Sequence, residues 1–182
     1  MFDLRLIRAE LLKLRRRRGM LAIAAGITVG VMVLGFGVSA IQHAGNPGRY
    51  GPAGGADGFR EGITILTLLT LVAGAIVGST AGAQDLESGV FRDLAATGRS
   101  RLALFGARVT GAWAVVLPIA AAAAAVAGVA SVQLAGTLAT PATGTLVAGT
   151  AAILATAAFS SAVTISRSTG ASGLRVTRRP PS

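Results

Sequence analysis

"VTGAWAVVLPIAAAAAAVAGVASVQLAGTLATPATGTLVAGTAAILATAAFSSAVTI", residues 109–165, runs for 57 positions without a charged side chain. As a single helix rising about 1.5 Å per residue, it would far exceed a hydrocarbon layer of about 30 Å. The stretch must double back. Its turn is "AGTLATPATG" at 135–144, which holds two glycines, Pro141 and three threonines. Two spans result, over 109–134 and 145–165. The first is alanine-heavy, with six in a row at 120–125, and relies on neighbouring helices. Working outward, "GMLAIAAGITVGVMVLGFGVSAI" at 19–41 and "GITILTLLTLVAGAIVGSTAGA" at 62–83 give 23 and 22 uncharged positions. Each is long enough to cross the same layer. The sequence therefore predicts four transmembrane helices in an all-α integral membrane protein.

Composition agrees. Of the 182 residues 52% are hydrophobic and 13% charged, with a mean hydropathy of +0.67. A soluble domain carries roughly 25% charged residues. No cysteine is present, which excludes disulfide and thiolate chemistry, and the single histidine, His43, excludes a histidine-rich metal site. The formal charge of +10 is distributed by topology. Residues 1–18 hold seven Lys/Arg, 84–108 hold four and the tail 166–182 holds four, whereas 42–61 hold two and 135–144 none. That alternation puts both termini and the 84–108 segment in the cytoplasm. The basic residues thus read as topology signals rather than a nucleic-acid footprint, since no recognisable nucleic-acid module accompanies them. "VSA" at 38–40 resembles a signal-peptide cleavage site, but the apolar run before it is too long and three more spans follow.

Ahead of the first span, "MFDLRLIRAELLKLRRRR" places Leu4, Ile7, Leu11 and Leu14 at helical spacing, with Arg5, Arg8 and Lys13 on other faces. This predicts an amphipathic helix over 1–18, lying at headgroup level. Inside the apolar runs nothing resembles a catalytic constellation. The only lysine, Lys13, stands between leucines, so no P-loop exists. None of the four runs contains an ionisable residue of the kind that marks proton relays. Ser79, Thr80 and Gln84 are polar but lack a base. Gly74, Gly78 and Gly82 recur every four residues, as do Gly26 and Gly30, and this spacing predicts close helix packing. Pro118, which lacks a backbone donor, predicts a kink.

One segment breaks the apolar pattern. "QDLESGVFRDLAATGRSRLALFGAR", 84–108, gathers seven of the 24 formal charges, of both signs. Asp85 and Glu87 suit a helix start, where negative charge favours the dipole. Val90, Phe91, Leu94 and Ala95 form an apolar patch at helical spacing, Gly98 interrupts it, and Arg108 stands at the next span. Two readings follow: an interfacial helix resting on lipid, or a docking element for a cytoplasmic protein.

At these residues the sequence resembles permease subunits of bacterial ATP-binding-cassette exporters of the type-two class. The likeness rests on three elements in order. They are the basic amphipathic "RAELLKLRRRRGML", the acidic-Gly-Arg-Leu pattern of Glu87, Gly89, Arg92 and Leu94, and the Gly98, Arg99, Ser100, Arg101 element before the third span. The resemblance covers roughly residues 5–173. It implies that a cytoplasmic coupling helix between spans two and three, comprising Asp85, Glu87, Gly89, Val90, Phe91, Arg92, Leu94 and Arg101, seats in a groove on a separate ATPase subunit. That subunit binds the ATP, so the permease itself needs no cofactor, metal or catalytic residue. The resemblance further implies a second permease copy as partner and residence in the bacterial cytoplasmic membrane. Family members have six spans. "SRSTGASGL" at 166–174 resembles their turn into a fifth span, after which the chain ends in "RVTRRPPS", like a truncated or frame-shifted member. The competing readings are a four-span assembly factor or regulator of another membrane complex, and a small drug carrier. The carrier is disfavoured by the missing intramembrane carboxylate.

Overall fold

The computed structural model describes residue 12, residues 18–87 and residues 101–176, with side chains over 12, 18–80 and 105–167. Among the described residues there are four long helices: α1 (Arg18–Gly45), α2 (Gly55–Glu87), α3 (Arg101–Gln133) and α4 (Thr143–Val176). Among the described residues there is no strand. Each helix contains a segment long and apolar enough to cross a membrane: Arg18–Gly45, Gly55–Thr80, Phe105–Gln133 and Thr143–Arg167. The protein is thus a multi-pass, all-helical membrane protein by length and composition. The interfacial helix expected over 1–18 falls outside the described residues, apart from residue 12 and Arg18.

Helices outrun the uncharged stretches that announce them. α2 begins seven residues before the run at 62–83 and takes Asp57, Arg60 and Glu61 into its first turns. α3 begins eight residues before Val109, at Arg101. The reason is physical: an apolar run marks depth in lipid, whereas a backbone ladder continues into water as long as no residue breaks it. The same reason corrects the tail. Residues 166–174, expected to turn, continue α4 as helix to Val176. Pro118 likewise sits inside α3, which remains one helix around it, with the ring exposed.

The core is a seam of small side chains. α2 buries Phe59, Leu66, Thr70, Ala73 and Val77, a stripe at helical spacing that faces α3 and α4. From the polyalanine tract of α3, Ala120, Ala123 and Ala124 turn inward while Ala121, Ala122 and Ala125 face outward. α4 contributes Ile153, Ala157, Ser160, Ser161 and Ile165. α2 and α4 meet most closely, α3 packs against both, and α1 lies more loosely against α2 and α3.

At one end two loops lock together. Gly54 N–H donates to Leu134 O at 2.9 Å, and Ala56 N–H donates to Ala139 O at 2.9 Å. Gly55 and Gly136 take positive φ, 86° and 55°, which the two turns require and only glycine adopts cheaply. His43 Nδ1–H donates to the Tyr50 carbonyl at 2.7 Å, holding the loop after α1 against that helix.

Candidate functional site

Two regions combine chemistry with position: the connection between α2 and α3, and the polar positions inside the bundle. The connection emerges at the end opposite the locked loops. α2 carries Asp85 and Glu87 in its last turn, and α3 opens on Arg101. Asp85 and Glu87 were expected at a helix start; they lie instead within α2, far from its first turn, because α2 continues at least four residues past its apolar run. Gly89, Val90, Phe91, Arg92 and Leu94 lie outside the described residues. Arg108, expected to stand at the next span, lies in α3 and is buried at 4% exposure, beside the small Ala107, Gly111 and Ala112.

Inside the bundle, the glycines of α2 make its closest approach. A methyl at Gly74 would overlap Ser160 Oγ, and one at Gly78 would lie 2.7 Å from Ser161 O and 3.0 Å from Thr164 Cβ. Gly82 lies beyond the described side chains. Gly26 and Gly30 differ from expectation: a methyl at either meets no atom within 4 Å. They bracket a π-helical turn, Gly26–Gly30, in α1. Gly62, which spacing did not single out, receives the Phe36 ring at 3.3 Å from a methyl position, and Gly149 receives Phe59 at 3.0 Å. Glycine-in-aromatic contacts of this kind have no period in sequence, so pattern reading misses them.

The hydroxyls are mostly spent on their own helices. Ser79 donates to Ile76 O at 3.0 Å, and the single hydroxyl proton of Thr80 has Val77 O at 2.9 Å, Ile76 O at 3.1 Å and Met20 Sδ at 2.7 Å as alternative acceptors. Ser160 and Ser161 donate to Ala157 O. Trp113 Nε1–H crosses from α3 to Ala158 O of α4 at 3.1 Å. Between α1, α2 and α3 lies a cavity of about 10 Å³, room for nothing larger than a water molecule. No group of His, Cys, Asp and Glu able to hold a metal occurs among the described residues. No protein family, curated protein or solved structure matches this chain.

Proposed function

We propose that the chain is the membrane-spanning permease subunit of an ATP-binding-cassette exporter, coupling ATP hydrolysis by a separate cytoplasmic ATPase to movement of its helices. One observation supports this above others. α2 and α3 continue as helix past the apolar runs and carry Asp85, Glu87 and Arg101 beyond them. Charged helical extensions beyond the apolar runs fit a surface that meets a partner. In this reading residues 84–108 face the cytoplasm, the amphipathic 1–18 segment lies on the inner leaflet, and Val90, Phe91 and Leu94 fill an apolar groove on the ATPase. In this reading the pathway forms between two copies of the permease.

The test is co-purification of a P-loop ATPase with the tagged chain from native membranes. Interface anchors commonly contribute 2 kcal/mol or more, so Phe91→Ala should reduce the ATPase recovered by at least about tenfold. Glu87→Lys should weaken it as well. Membrane insertion should be unchanged in both, because neither residue lies in an apolar run. Undiminished recovery in the double mutant would leave 84–108 as an interfacial segment on lipid. Recovery of a different membrane complex and no ATPase would favour the assembly-factor reading.

A further inference from the structure

α1 meets the bundle through Met20, Ala24, Thr28, Met32 and Phe36. Ala24, Thr28 and Met32 are buried, Met20 Sδ lies 2.7 Å from Thr80 Oγ1 of α2, and the Phe36 ring covers Gly62. The spacing is four at every step. A regular α-helix turns about 100° per residue, so its inward face would drift by about 160° between residues 20 and 36. The π-helical turn Gly26–Gly30 absorbs most of that drift. Its wider i→i+5 bonding takes an additional residue into the turn and resets the face by about one residue's rotation. The ladder shows the change of register, since the Val31 N–H is shared between Gly26 O and Thr28 O.

Little else holds the turn in this form. A methyl at Gly26 or Gly30 meets no atom within 4 Å, so no packing dictates the glycines that bracket it. Thr28 spends its hydroxyl on its own helix, donating to Ala24 O at 2.8 Å. The small apolar cavity beside Ala24 and Thr28 leaves the contact short of close packing. The sequence also supplies a second face. With Met32 and Phe36 in place, closing the turn to α geometry rotates Arg18–Ala25 by about 100°. Leu21 and Ala25, already half-buried, then stand where Met20 and Ala24 stood. Methionine is exchanged for leucine and alanine for alanine, a swap that conserves volume and costs little. We propose that α1 is a two-register helix jointed at Gly26–Gly30, whose first half turns between a Met20/Ala24 face and a Leu21/Ala25 face. The two states are discrete, because backbone N–H groups bond at i−4 or at i−5. The rotation re-aims Arg18 and the basic segment joined to it. This inference does not depend on the exporter reading.

Distances between paired spin labels on the full-length chain, which has no native cysteine, test the joint. Ala22→Cys, exposed on the turning half, is paired with Phe159→Cys, exposed on α4. In the observed register Ala22 faces away from the bundle; in the other it swings to the side, and the distance shortens. Gly26→Ala combined with Gly30→Ala favours regular helix without a clash, and should raise the population at the shorter distance at least about threefold. Deleting Ile27 removes the additional residue and keeps Met20 and Ala24 inward on a regular helix, so the longer distance alone should remain. Val33→Cys paired with Phe159→Cys reports on the other half of α1 and should give one distance in every variant. The proposal fails if the double alanine variant shows no second distance, a result that decides even where the deletion does not fold. Survival of the shorter distance after deletion of Ile27 would overturn it too. So would two distances from Val33, since the helix would then move as one piece.

Discussion

At the scale of single residues, identical glycines carry different burdens, and the neighbours decide which. Gly74 and Gly78 lie where α4 leaves no room for a side chain, since Ser160 Oγ and Ser161 O occupy the positions a methyl would need. Gly74→Ala and Gly78→Ala should each destabilise the protein by about 1–3 kcal/mol through overpacking. Gly30 faces open space. Gly30→Ala should be neutral or stabilising by up to about 1 kcal/mol, because alanine is the better helix former. Denaturant titration in mixed micelles would rank the three; equal losses at Gly30 and Gly78 would contradict the assignment. The sequence presents both sets with the same spacing of four. Spacing identifies a face of a helix, but what lies opposite that face is a tertiary fact.

At the scale of elements, the four spans were readable because apolar length is itself the physical requirement for crossing lipid. The turn was readable too: 135–144 was expected, and the helices on either side end at Gln133 and resume at Thr143. Helix ends were not readable, since hydropathy is silent once the chain leaves the apolar layer. That silence moved Asp85 and Glu87 from a helix start into the body of α2, and it turned the expected loop at 166–174 into helix. The loop-to-loop lock was equally hidden, because it joins backbone groups of Gly54 and Leu134, which no side-chain pattern reports. A side chain at Gly54 would come within 2.6 Å of the backbone at Ser131, Leu134 and Ala135. Gly54→Val should therefore part the two loops while leaving all four helices in the membrane. Limited proteolysis in 46–54 should speed up severalfold with helical circular dichroism retained. Unchanged cleavage would show that the lock is dispensable.

For the whole molecule, the decisive quantity is the sidedness of charge. The two ends of the bundle differ: one closes in the loops 46–54 and 134–142, and the other bears the charged ends of α2 and α3. In the sequence, Lys and Arg divide fifteen to two between the segments 1–18, 84–108 and 166–182 on one hand and 42–61 and 135–144 on the other. Because positive charge is retained on the cytoplasmic face, the locked loops should face outward. The chain suits a cysteine-labelling test, having no native cysteine. Gly51 and Thr140 are exposed in the two loops, and a side chain at Gly51 meets nothing within 4 Å, so cysteine there leaves the fold undisturbed. An impermeant maleimide added to intact cells should label Gly51→Cys and Thr140→Cys and should not label Ser88→Cys until the cells are opened. Labelling of Ser88→Cys alone from outside would invert the molecule. It would also remove the 84–108 segment from any cytoplasmic ATPase, so the exporter proposal would fall with it.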